Sequence, residues 1–168
     1  MREETKMANL GALVAAAIFA SLLQAGGVMI GGIIPNFAFA AVLTGIFFVQ
    51  RLEEGLVLVA SAALVLKFAP GFSQEIAVFS AVCLIALLIK DYLPGRITVN
   101  ATALVGGATA LFYAINDPSF LASSFFIREF FINMGFALAC LLVFNWLFKK
   151  GSLREEHFAL SRGRIRKL

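Results

Sequence analysis

Polar side chains are so sparse along this chain that charges and turn formers act as punctuation. Six predominantly apolar runs, 8–23, 33–49, 55–72, 76–93, 97–115 and 130–148, are separated by short breaks. The breaks read GGVMIGG around position 29, QRLEE at 50–54, PGFSQE at 70–75, PGR at 94–96 and NDP at 116–118. Each holds glycine, proline or charge, the residues that end regular structure. A helix needs about 20 residues to cross the roughly 30 Å hydrocarbon layer, and about 17 suffice. The pattern therefore predicts six membrane-spanning helices. The first two runs cannot form one helix, because the 42 residues of 8–49 would extend about 63 Å at about 1.5 Å per residue. Pro35 marks the second start.

Composition agrees with this pattern. Of 168 residues, 61% are hydrophobic and 14% charged, which is more apolar than the surface of a soluble domain tolerates. The expected fold class is an all-α polytopic membrane bundle, organised as a transmembrane domain over 1–148 and a basic cytoplasmic tail over 149–168. The flank MREETK carries as many acids as bases and further apolar runs follow at once, so the first run reads as a span and not as a signal peptide.

The lysines and arginines orient the bundle. With the N-terminus inside, Arg2, Lys6, Arg51, Lys90, Arg96, Lys149, Lys150, Arg154, Arg162, Arg164, Arg166 and Lys167 fall on the inner side, twelve of fourteen. Only Lys67 and Arg128 lie outside, each at a span end from which a long side chain can snorkel. This split predicts six spans with both termini in the cytoplasm.

Candidate chemistry is scarce. Cys83 and Cys140 sit inside apolar runs and read as inert core thiols, and the one histidine, His157, lies in the tail. Asp91 and Asp117 stand singly in loops on opposite sides. No nucleophile–base pair, metal-ligand cluster or carboxylate relay is legible, so no enzymatic activity, cofactor or metal is expected. Nucleic acid is not an expected partner, since no suitable fold accompanies the positive charge.

Small residues recur at four-residue spacing at Ala12, Ala16 and Ala20, and again at Thr102, Gly106 and Ala110 with Gly107 alongside. Such stripes allow close helix approach, either within the bundle or against another membrane subunit. Lys67, Glu75, Asp117, Arg128 and Glu129 gather at the outer span ends. Glu129 and Asn133 share one helix face at i, i+4. They read either as a wet helix start or as a polar contact, with Lys67 or with a partner's membrane-proximal segment. In the tail, Ser152 and Glu155 form a capping box that predicts a short helix over 153–161. Lys149, Lys150, Arg162, Arg164, Arg166 and Lys167 suit anionic lipid, at about 1 kcal/mol per base near the surface.

The six short spans, the ProAsn step in IIPNFAFAAVL, and a last span written Glu129-x-x-x-Asn133 before an apolar run and LysLys together resemble the MreD family of rod-shape-determining membrane proteins. The resemblance covers roughly 33–150. Family members tend to have an acid near the outer end of the third span, where this chain has Lys67. The resemblance implies a fold similar to the S components of ECF transporters, a bacterial plasma-membrane location, and a non-catalytic scaffold of the cell-wall elongation machinery. It implies MreC-like partners and cell-wall synthases, met through Pro35, Asn36, Lys67, Glu129 and Asn133. The alternative is a substrate-binding S component of an ECF-type vitamin or micronutrient transporter, whose AxxxA face the first-span alanines resemble. That role needs an outer cavity, for which Asn36, Asn133 and Tyr113 are the polar and aromatic groups available.

Overall fold

The computed structural model describes the backbone of residues 2–67 and 73–165, and the side chains of 9–67 and 74–148. Among the described residues the chain is all-helical. It has six α-helices: α1 (Arg2–Ala25), α2 (Phe37–Gly45), α3 (Leu52–Lys67), α4 (Ser73–Ile89), α5 (Ile97–Asn116) and α6 (Ser124–Ile165). One-turn 3-10 segments follow α4 at Lys90–Tyr92 and precede α6 at Pro118–Ala122.

Five helices form a ring, with α1 against α3, α3 against α4, α4 against α5, α5 against α6, and α6 back against α1. The remaining helix, α2, fills the centre and packs against every other one. Its sequence FAFAAVLTG is apolar on all sides, and all nine residues are buried. A helix apolar all round has no face to offer to water. Its aromatic rings tie it outward: Phe39 lies 4.8 Å from Phe79 of α4 and 5.2 Å from Phe112 of α5, and Phe37 lies 5.0 Å from Phe136 of α6. Alanines between the rings let the neighbouring backbones close in.

The element boundaries follow local chemistry. Helix α1 ends in a Schellman motif, with Gly27 at φ 69°, its N–H on the Gln24 carbonyl at 3.0 Å, and the Val28 N–H on the Leu23 carbonyl at 3.1 Å; glycine adopts that left-handed conformation without steric penalty. At the start of α3, Glu54 Oε2 accepts from the backbone N–H groups of Gln50 and Arg51 at 2.9 and 3.3 Å. The acid thereby reaches back over its own helix start.

Two boundaries depart from the sequence pattern. The apolar run 33–49 yields only a nine-residue helix, about 14 Å long at about 1.5 Å per residue. Pro35 disfavours helix in the residue before it, and the chain leaves α2 in tight turns over 46–48. Helix α6 starts at Ser124, six residues before the predicted 130, and continues through 149 to Ile165 without the break expected before a separate helix over 153–161. By length and composition, two helical stretches suffice to cross a membrane, Ile97–Asn116 and Ser124–Phe148, and Asn9–Ala25 is a shorter apolar stretch.

The small-residue stripes are used selectively. In α1 the buried face is Leu13, Ala17, Ala20 and Ser21, so Ala20 is central, Ala16 packs at the margin of the core and Ala12 lies outside it. In α5, Gly106 lets Phe130 and Met134 of α6 approach, since a Cβ there would lie 3.0 Å from the Phe130 ring, whereas Gly107 is exposed with open space around it.

One more glycine is decisive: a Cβ on Gly55 would lie 2.5 Å from Leu87 Cδ1, and Leu87 is itself buried. Gly55→Ala is expected to lower stability in detergent by about 1–3 kcal/mol through overpacking. Gly107→Ala should leave the melting temperature unchanged or raise it, because helix propensity then acts alone. Equal melting shifts for the two would contradict the packing described.

Candidate functional site

The polar groups in this apolar chain are concentrated at the two ends of α2. A helix start leaves its first four backbone N–H groups without intrahelical partners, and here every one is accounted for. Asn36 is the N-cap, and its Oδ1 accepts from the Phe39 N–H at 3.3 Å. Gln24 Oε1, from the last turn of α1, accepts from the Ala38 N–H at 3.1 Å. The Phe37 N–H reaches the Pro35 carbonyl at 2.9 Å, and the first regular helical bond follows, from the Ala40 N–H to the Asn36 carbonyl at 3.3 Å.

The Asn36 N–H itself is held by α6, where Asn133 Oδ1 accepts it at 2.9 Å. The amide nitrogen of Asn133 then donates to Glu129 Oε1 and to Thr109 Oγ1 of α5, both at 3.5 Å. The second carboxylate oxygen, Glu129 Oε2, accepts from the Tyr113 hydroxyl at 2.7 Å. Tyr113 is in turn bracketed by Phe112 and Phe120, with centroids 5.3 and 4.6 Å away. This seam joins α2, α5 and α6 at the N-terminal end of α2.

The far end of α2 has an equivalent device. Lys90, at the end of α4, donates from Nζ to the carbonyls of Ile46 at 2.9 Å and Val49 at 2.7 Å. Its side chain is only 9% exposed, and the neighbouring Asp91 carboxylate, 80% exposed, stands 3.9 Å away. An ammonium at a helix C-terminus also complements the macrodipole. The Thr44 hydroxyl returns to the Ala40 carbonyl one turn back.

These positions revise the expected roles. Glu129 is 2% exposed and Asn133 fully buried, so the pair is neither a wet helix start nor an accessible docking strip. They are an i, i+4 pair turned inward, and their partners are Tyr113, Thr109 and Asn36 in place of Lys67. Pro35 and Asn36 are buried as well. Of the five residues assigned to partner contact, only Lys67 is exposed, at the end of α3, apart from the seam. Arg128 is exposed beside it in sequence from Glu129, on another face of α6. The side chains of Lys149, Lys150, Arg162, Arg164, Arg166 and Lys167 lie outside the described residues.

Gln24, Lys90 and Thr109 carry essential bonds that the sequence did not single out. Gln24 had a usable signal, as the last polar side chain before a glycine pair. Lys90, an isolated base after a long apolar run, reads from sequence as an inner-side charge only.

Two small cavities lie among the described residues. Near the N-terminal end of α2, Gln24, Asn36, Leu66, Glu75, Ile76, Phe79 and Phe112 line a pocket of about 10 Å3, about what a single water needs. At the opposite end Asn9, Leu10, Leu13, Phe48, Val49, Gln50 and Glu54 line one of about 60 Å3. Among the described residues no group of three or more His, Cys, Asp or Glu is placed to hold a metal. Cys83 and Cys140 are free thiols, the first buried and the second partly so.

In comparisons with protein-family models, curated proteins and solved structures, none matches the chain.

Removing the centre of the seam has a defined consequence. Asn133→Ala leaves the buried Asn36 N–H without an acceptor and is expected to destabilise the protein by about 1–3 kcal/mol. Arg128→Ala, on the exposed face, should stay within about 0.5 kcal/mol. Lys90→Met, which strips two buried carbonyls of their donor, should also cost about 1–3 kcal/mol. Thermal melting of the three variants in one detergent checks the ranking, and an Asn133→Ala melt equal to that of Arg128→Ala would contradict the seam's role.

Proposed function

We propose that this protein is a six-span component of the bacterial plasma membrane, with both termini in the cytoplasm, that acts as a non-catalytic scaffold of the cell-wall elongation machinery. The observation that carries this reading is the hydrogen bond between Asn36 and Asn133. It joins, across 97 residues, the ProAsn step and the Glu-x-x-x-Asn motif on which the MreD resemblance rests. Two motifs that build one seam form a single structural signature.

Placement in a bilayer is supported by an inside-out distribution of polarity. Glu129, Asn133, Asn36, Thr44, Thr109 and Ser21 are buried, while Phe19, Leu64, Leu88, Val99 and Leu142, one on each helix of the ring, are at least 60% exposed. Tyr92 and Trp146 are exposed at the inner end, where amphipathic aromatics suit a membrane–water interface. The nine residues of α2 do not span a hydrocarbon layer as a helix. In this reading the whole segment 33–49 crosses, shielded from lipid by the ring, which is where irregular backbone is tolerated at membrane depth.

A scaffold needs exposed faces, whereas a vitamin-binding subunit needs room for its ligand. The outer pocket of about 10 Å3 favours the scaffold. The buried seam then acts by fixing the outer face, and the MreC-type partner meets the exposed groups there, Lys67 and Arg128 among them. The basic tail, including Arg162, Arg164, Arg166 and Lys167, adds attraction to anionic lipid on the inner side.

Topology is tested by membrane-impermeant maleimide on intact cells. A cysteine at Ser119 should label and one at Tyr92 should not, and the reverse pattern would refute the orientation. For function, depletion from its bacterial host should turn rods into spheres, and an MreC-type protein should co-purify from crosslinked membranes. Lys67→Glu with Arg128→Glu should reduce that capture several-fold without changing the melting temperature. Rods that keep their shape through depletion would rule out the scaffold role.

A further inference from the structure

Between α1 and α2 the chain runs AGGVMIGGIIP over 25–35, without one polar side chain. Water-facing loops are built otherwise, from polar residues that hydrate well. Val28, Met29, Ile30 and Ile34 are 41%, 65%, 45% and 41% exposed, and Ile33, at 7%, anchors the base. The shape of this tongue is fixed. Ile30 and Ile33 exchange both backbone hydrogen bonds, at 2.8 and 3.2 Å, around Gly31 and Gly32 at φ 60° and 81°, the geometry of a tight two-residue hairpin turn.

Five of the nine backbone N–H groups of 26–34 are also paired locally. The N–H groups of Gly26, Gly27, Val28, Ile30 and Ile33 all end on carbonyls within 22–33. A loop that pairs part of its backbone and displays only apolar side chains is suited to the boundary between water and lipid, where headgroups and water can take up the remaining N–H groups. The tongue follows directly in the chain from the last turns of α1, where Phe19 and Leu22 are 62% and 55% exposed.

We propose that the 26–34 tongue inserts into the outer leaflet of the membrane, lying at the boundary between headgroups and acyl chains. Met29 and Ile30 at its tip enter the lipid, and the glycine turn holds them there. The occupant is lipid because the tongue extends the lipid-facing stripe of α1 and offers no charge or hydrogen-bonding side chain to select a protein. This anchor rests on the membrane placement proposed above. It fixes the level of the outer end of α1 and the entry to α2, hence the depth of the Asn36 seam beneath the surface.

The test uses the full chain in phosphatidylcholine–phosphatidylglycerol vesicles, with Cys140→Ala and the wholly buried Cys83 retained. An environment-sensitive fluorophore is attached at Met29→Cys, and separate proteins carry it at Ser119→Cys and Leu142→Cys. At Met29 the emission should be blue-shifted, quenched more by lipids with a shallow spin label than by those with a deep one, and several-fold less sensitive to aqueous iodide than at Ser119. Iodide quenching equal to that at Ser119 would overturn the proposal. So would a blue-shifted probe insensitive to both quenchers, which would mean that a second copy of the chain covers the tip. If Leu142, 73% exposed on α6, also escapes lipid quenching, the membrane placement itself fails. Quenching of Leu142 without Met29 removes the tongue alone.

Discussion

A helix without a solvent face must find partners for both of its ends inside the molecule, and the rest of this structure depends on how α2 does so. Each orphan N–H or carbonyl left unpaired in an apolar interior costs about 1–3 kcal/mol, and α2 has several at each end. The ring helices supply what is missing: Gln24 from α1, Asn133 from α6, Lys90 from the end of α4. The centre of the bundle is apolar in its side chains and polar only at its two poles. The central helix and its ring are therefore interdependent, because the side chains that satisfy α2 are fixed in place by the ring's own packing.

The two poles are built differently. At the C-terminal pole of α2 one long, flexible side chain carries a full charge to two carbonyls, while the neighbouring Asp91 remains in solvent. At the N-terminal pole of α2 shorter side chains form a connected set. Glu129 is buried without a cationic partner among the described residues, and its two oxygens are occupied by Tyr113 and Asn133. A buried carboxylate of this kind is weak evidence for stability, since desolvation opposes what the hydrogen bonds contribute. Its clearer effect is to orient Asn133, whose amide can hold Asn36 only when its nitrogen is directed toward Glu129 and Thr109.

The buried polar groups of the seam are engaged with one another, the pocket beside Asn36 has room for about one water, and every helix of the ring exposes large apolar side chains. The proposed scaffold role draws on that geometry. In that proposal the face set by the seam, the apolar ring surface and the exposed Lys67 and Arg128 are what a membrane partner recognises through shape and position.

The helical class, the apolar runs and most of their breaks were legible from local rules, because glycine, proline and charge end helices wherever they occur. The run 97–115 differs from α5 by one residue, and the Gly26–Gly27 stop of α1 follows from glycine's access to positive φ. The chain also marked Glu129, Asn133 and Asn36 as unusual by leaving so few polar residues elsewhere. Where those residues face was decided only in three dimensions. The pair at i, i+4 fixes a shared helix face but not whether that face turns outward or inward, and only packing of α6 against α2 and α5 makes that choice. The same holds for the length of α2 and for Lys90. An apolar run of 33–49 reads as a spanning helix by composition alone, yet its ends are set by Pro35 and by the distant side chains waiting to receive its unpaired backbone groups. Hydrogen-bond satisfaction in a buried interior is a property of neighbours, and a sequence names its neighbours only once it has folded.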